Sequence, residues 1–130
     1  MSLFDRVRNQ PSNSKNDKMW DSISGTGKFD SILQKSDEKP QLIYKHSNRC
    51  SVSFMAKQQL EEFAEEISDK ANLFMIDVIH QRGLSNAIAS ELNVRHESPQ
   101  VIILNDQEVF WKGSHYEIKG KDILYALNKV

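Results

Sequence analysis

Cysteine occurs once in the 130 residues, at Cys50, so no disulfide can close within the chain. Secreted domains usually pair their thiols, and a solitary one suits a cytoplasmic protein. Long apolar runs are missing too. Runs such as Leu73-Phe74-Met75-Ile76 and Val101-Ile102-Ile103-Leu104 are far short of the ~20 residues that a membrane-spanning helix needs. Asp5, Arg6 and Arg8 stand where a signal peptide would carry its apolar stretch, so a cytoplasmic location with no membrane partner is expected. Neither sign of charge dominates: 17 Lys and Arg face 18 Asp and Glu, a formal net charge of -1. A polyanion-binding surface needs a basic excess, so no nucleic acid is expected as a partner. The 5 glycines form no phosphate-binding motif, and no Ser-His-Asp order with a Gly-rich elbow suggests a hydrolase. The 4 histidines lack the close pairing of a zinc site, so no metal is expected.

What remains is an ordinary globular composition. Apolar residues make up 38%, charged residues 27%, and the mean hydropathy is -0.58. A chain of this length folds as one domain and buries roughly two-thirds of its unfolded surface without a staple. Residues 9–18 are polar and contain Pro11. Residues 1–18 are therefore expected to be a flexible segment, and 19–130 a single domain.

Phe29, Ile32 and Leu33 recur at helical spacing and predict a helix from Gly27 to Ser36. Gln41 to His46 is a short run of strand formers. The polar loop SNRCSVS follows and opens a long helix, with Val52, Ala56, Leu60, Phe63, Ala64 and Ile67 in one stripe. Glu61, Glu62, Glu65 and Glu66 lie mostly on the other face and read as solvated. Asn72 to His80 is apolar nearly throughout, as strands covered on both sides are. A second helix spans Leu84 to Leu92, with Asn93 placed to end it. Val101 to Leu104 and Val109 to Trp111 form a hairpin about Asn105-Asp106. Ile118 to Val130 is a closing helix with Ile123, Leu124, Leu127 and Val130 inward. Trp20 is expected to anchor a first strand, and Trp111 to pack at a sheet edge. The order implies an α/β protein: a central mixed sheet of four to five strands with helices on both faces.

Cys50 falls between a strand and the long helix. A helix start offers unpaired backbone N–H groups and the positive end of the dipole, and both favour a thiolate. Arg49 and His46 are near in sequence and are expected to add positive charge. Ser53 follows three residues later, where a dithiol motif would have its second sulfur. Serine forms no disulfide, but its hydroxyl reaches back across one helical turn. The plain alternative is a small buried cysteine without chemistry.

Tyr44-Lys45-His46-Ser47 ahead of Cys50, Asn86-Ala87-Ile88-Ala89, the stretch Val94-Arg95-His96-Glu97-Ser98-Pro99-Gln100, and Val109-Phe110-Trp111-Lys112-Gly113-Ser114-His115 together resemble the monothiol bacilliredoxins, YtxJ-like members of the thioredoxin-like superfamily. The resemblance runs from Phe29 to Leu127. It implies a thioredoxin-like fold, a thiol–disulfide oxidoreductase activity, Cys50 as the reactive cysteine, Ser53 as the serine replacing a second one, and Pro99 as the cis-proline beside the thiol, with the Ser98 backbone offered to a partner. The family commonly has threonine before the cysteine and proline after it. Arg49 and Ser51 stand at those positions here.

The implied reaction is removal of bacillithiol from protein mixed disulfides. Bacillithiol, or another low-molecular-weight thiol, is then a co-substrate and no cofactor is tightly bound. S-thiolated client proteins are the partners, and the protein is expected to be a monomer or a weak dimer. Bacillithiol carries carboxylates, so Arg49, Arg95, His46 and His115 are candidate anchors. The competing readings are a non-catalytic thioredoxin-like binding module, with Cys50 unreactive and a peptide held at the Pro99 loop, and a glutathione-dependent monothiol glutaredoxin-like protein.

Overall fold

A computed structural model describes residues 19–130. The expected flexible segment, 1–18, lies outside the described residues. In chain order the elements are β1 (Asp21–Ser22), α1 (Thr26–Lys35), β2 (Gln41–His46), α2 (Ser51–Glu62), α3 (Ala64–Lys70), β3 (Asn72–Asp77), α4 (Arg82–Leu92), β4 (Gln100–Asn105), β5 (Glu108–Ser114), a 3-10 turn (His115–Glu117) and α5 (Gly120–Leu127). The strands form one mixed sheet in the order β1-β3-β2-β4-β5. β3 runs parallel to β1 and β2, while β4 is antiparallel to both β2 and β5. This is the α/β arrangement with a thioredoxin fold read from the sequence.

β2 sits in the middle, and all six of its residues are buried. Alternation along the strand sends them to opposite layers. Leu42 and Tyr44 join the core under α2, α3 and α5, with Ala56, Leu60, Ile67, Ile123 and Leu127. Ile43 joins the core under α1 and α4, with Phe29, Ile32, Ile88 and Ile102. Covering both faces removes the polar/apolar alternation that a half-exposed strand would show.

Several boundaries differ from the sequence reading. The long helix breaks at Phe63, whose backbone (φ -112, ψ 30) leaves the helical region and divides it into α2 and α3. β3 stops at Asp77 instead of running to His80, because the Asp77 carboxylate accepts the Ile79 and His80 N–H groups at 3.0 and 3.2 Å and turns the chain. Asn93 does end α4, in the left-handed conformation (φ 55). The hairpin turns one residue late, with Asp106 and Gln107 both at positive φ.

The closing helix begins late, at Gly120. Ahead of it the Ser114 N–H donates to the Glu117 carboxylate at 2.9 Å and secures the 3-10 turn. Ile123 and Leu127 are buried, but Val130 lies beyond the helix and is exposed. The glutamate face is not uniformly solvated either. Glu61 accepts from the Trp20 indole at 3.2 Å and pairs with Lys57 at 3.8 Å. Among the described residues no helix is long and apolar enough to cross a membrane.

Candidate thiol site

Cys50 occupies the N-cap of α2 with extended backbone (φ -118, ψ 120) and is partly exposed. The four-residue turn before it is closed by its own N–H, which donates to the Ser47 carbonyl at 3.2 Å. From this position the sulfur faces donors of the first helical turn. The Ser53 backbone N–H is the strongest influence, and the Val52 N–H and the Ser53 hydroxyl add to it. Together they outweigh partial desolvation and hold the thiol below its ordinary pKa. These are donors of a helix start put to use on an anion, although the Ser53 N–H is shared with the Cys50 carbonyl, to which it also donates at 3.1 Å.

Ser53 is fully buried. The Ser47 N–H donates to its hydroxyl oxygen at 3.3 Å, and the Tyr44 hydroxyl donates to its carbonyl at 2.7 Å. Tyr44 itself is wedged between Trp20, 5.5 Å away between ring centroids, and His46, whose Nδ1 lies 2.9 Å from the phenol oxygen. Sequence reading named Ser53 but missed Tyr44. Its one available signal was position: it shares a strand face with His46, directly before the thiol turn.

The two cations expected to favour the thiolate play no such part. His46 is 4% exposed and turned inward, with Nε2 3.1 Å from Asn48 Oδ1 and its ring edge-on to Phe54. Burial and the nearby Lys57 charge push its pKa down against the opposing pull of Asn48 and Asp77. It is therefore neutral at pH 7 and presents no charge to a ligand. Arg49 is exposed and is not among the groups that lower the thiol. The helix donors are nearer and fixed, and a solvated guanidinium is screened.

The Ser98–Pro99 peptide bond is cis. Lys45 pairs with Gln100 across β2 and β4, so one more step of that antiparallel register sets Pro99 opposite His46, at the strand end that leads to Cys50. The buried Pro99 carbonyl accepts the His115 N–H at 3.0 Å. Ser98 is half-buried, and its hydroxyl has no partner. His115 is exposed and lines a recess of about 210 Å³ with Val52, Met55 and Gln59 of α2, so it does sit near the thiol end of that helix. Arg95 does not. It lines a separate recess of about 200 Å³ with Glu97, Gln100 and Lys112. Gln100 precedes Val101, which faces the Tyr44 layer, so Gln100 points to the opposite face of the sheet. Arg95 thus lines a recess other than the one beside α2.

Phe54 and Met55, in the first two turns of α2, are large apolar side chains left 51% and 55% exposed. Behind the sheet, Lys45 is fully buried and donates to the Ser85 carbonyl at 3.1 Å, and burial lowers its pKa to about 8. Among the described residues no group of three His, Cys, Asp or Glu could hold a metal ion.

Residues 21–123 match the family model described as monothiol bacilliredoxin BrxC. Among solved structures, a protein described as a candidate oxidoreductase with a thioredoxin fold superposes with a TM-score of 0.72 at 27% identity, covering 85% of this chain and 96% of its own. Mitochondrial thioredoxin 3 from Saccharomyces cerevisiae gives 0.67 at 14% identity, covering 88% and 99%. Thioredoxin from Trypanosoma brucei brucei gives 0.66 at 14%, covering 85% and 88%. The last two show the fold alone. The family match and the first neighbour support a thiol redox function.

Proposed function

Because the chain belongs to the monothiol bacilliredoxin family, we propose that it removes bacillithiol from protein mixed disulfides through Cys50. The observation that carries this reading is a partly exposed sulfur at a helix start, held toward its thiolate by the Ser53 and Val52 N–H groups and the Ser53 hydroxyl. The thiolate is the attacking species in disulfide exchange. In the first step the Cys50 sulfur attacks the bacillithiol sulfur of a client's mixed disulfide. A new S–S bond joins Cys50 to bacillithiol, and the client sulfur leaves with the bonding pair and takes up a proton. With no second cysteine in the chain, a free bacillithiol thiolate then attacks the bacillithiol sulfur on Cys50. Bacillithiol disulfide departs and the Cys50 thiolate returns.

The apolar patch of Phe54 and Met55 receives the client protein beside the sulfur. Arg49 and His115, both exposed toward the thiol end of α2, receive the bacillithiol carboxylates in place of His46 and Arg95. The test is intact mass after incubation with oxidised bacillithiol and, separately, oxidised glutathione. One bacillithiol adduct on the unaltered chain and none on Cys50→Ser is the expected result. An adduct with glutathione alone would move the protein to a glutathione-dependent role. No adduct from either, or the same adduct on Cys50→Ser, would end the exchange reading.

A further inference from the structure

Tyr44 reaches from the middle strand of the sheet to the first turn of α2, and nothing in the exchange chemistry requires it to. Its side chain is fully buried, and its hydroxyl donates to the Ser53 carbonyl at 2.7 Å. A phenol has one proton. With that proton committed to Ser53, the phenol oxygen also lies 2.9 Å from His46 Nδ1.

The first turn of α2 needs such a hold. Cys50 makes no side-chain cap bond, and the first helical residue is Ser51, so no proline pre-sets the backbone there. Helix starts of this kind fray. Yet the groups that lower the sulfur, the Ser53 N–H first and then the Val52 N–H and the Ser53 hydroxyl, all belong to that turn. The Ser53 carbonyl is the point where the turn is tied to the sheet interior. The tie is dependable in chemical terms: burial pushes the Tyr44 phenol pKa up against the opposing hydrogen bond to Ser53, and the Cys50 and Glu61 charges add to the rise, so the hydroxyl keeps its proton at neutral pH.

We propose that Tyr44 is a positioning residue for Cys50: by holding the Ser53 carbonyl it fixes the first turn of α2 so that the Ser53 N–H and hydroxyl stay aimed at the sulfur. The inference rests on Cys50 being the reacting thiol of the proposed exchange, but it does not depend on which small thiol is exchanged. Tyr44 does not touch substrate. It acts through Ser53.

The test is the rate of iodoacetamide alkylation against pH for the unaltered chain and for Tyr44→Phe, which keeps the ring against Trp20 and removes one oxygen. Loss of one buried hydrogen bond on this path raises the Cys50 midpoint by about 0.5–1 unit. A lower melting temperature with an unmoved midpoint would mean that Tyr44 is only a packing residue, and would overturn the proposal. The unaltered chain supplies a second readout if the variant does not fold. The carbon-13 resonance of Tyr44 Cζ follows the Cys50 titration, and does not move over that range in Cys50→Ser. A resonance that ignores the titration overturns the proposal as well. Neither measurement uses bacillithiol, so a protein that forms no bacillithiol adduct but passes both tests loses the proposed substrate and keeps the positioning role.

Discussion

The Ser47 N–H donates to the Ser53 hydroxyl oxygen across 3.3 Å, and that leaves the Ser53 hydroxyl proton free for the Cys50 sulfur. Ser53→Ala removes the donor and keeps the helix. The Cys50 midpoint in an alkylation profile should rise by about 0.5–1 unit, since hydrogen bonds to a charged group are stronger than neutral ones. The Ser53 backbone N–H stays, so the midpoint should remain below that of a free thiol.

Arg49 gives the opposite expectation. The thiol is lowered by helix donors and not by the exposed guanidinium. The unaltered chain should show an alkylation midpoint below the ~8.5 of a free cysteine. Arg49→Ala should leave that midpoint within about 0.3 unit, because exposed charges are worth little in water. Capture of bacillithiol by the same variant should weaken if Arg49 is the carboxylate anchor proposed above. A midpoint that climbed by a full unit would return Arg49 to the role first read from sequence.

Lys45 makes a prediction about stability and pH. It is fully buried with the Ser85 carbonyl as acceptor, and its pKa falls from 10.5 to about 8. The folded chain therefore holds this proton less tightly than the unfolded chain. Between about pH 8 and 10.5 the unfolded state binds more protons, so this group's contribution makes stability rise with pH across that window. Lys45→Met removes the cost of burying the ammonium. It should stabilise the protein at pH 7 by roughly 1–3 kcal/mol, less than the full shift implies because the bond to Ser85 goes too. Thermal melts at pH 7 and pH 10 check this, and the gain should shrink at the higher pH.

Gly120 begins α5 under the break between α2 and α3. A β-carbon there would lie 2.1 Å from Phe63 Cδ2 and 2.8 Å from the Gln59 carbonyl oxygen. The phenyl ring could turn away, but the carbonyl belongs to helix backbone and cannot. Gly120→Ala should lower stability by about 1–3 kcal/mol, the usual cost of overpacking. A chemical denaturation curve with unchanged slope and a lower midpoint is the expected record.

Much of this was legible in the chain before any coordinates. The pattern Gln41 to His46, a polar turn, then an apolar stripe from Val52 to Ile67 placed the thiol at a strand-to-helix junction. Asn93 marked a helix end by its tolerance of positive φ. The misreadings have a common source. The stripe through Phe63 and Ala64 kept helical spacing, so periodicity could not reveal a break imposed by packing against α5. Asp77 as a turn former, and Glu117 closing on Ser114, are local bonds between residues of ordinary helix or strand type. Hydropathy patterns do not register them.

Local order along the chain determined the sulfur's setting: a single cysteine at the start of a helix meets backbone donors whatever surrounds it, because every helix start has them. Only the tertiary structure decided which neighbours matter. β2 is covered on both faces, so Tyr44, Lys45 and His46 are all buried although their side chains leave in alternating directions. Sequence proximity made His46 and Arg49 look like partners of the thiol, while the stacked layers gave that place to Ser53 and Tyr44. The physical reason is that charge acts through distance, screening and burial, and these are properties of the packed layers and not of spacing along the chain.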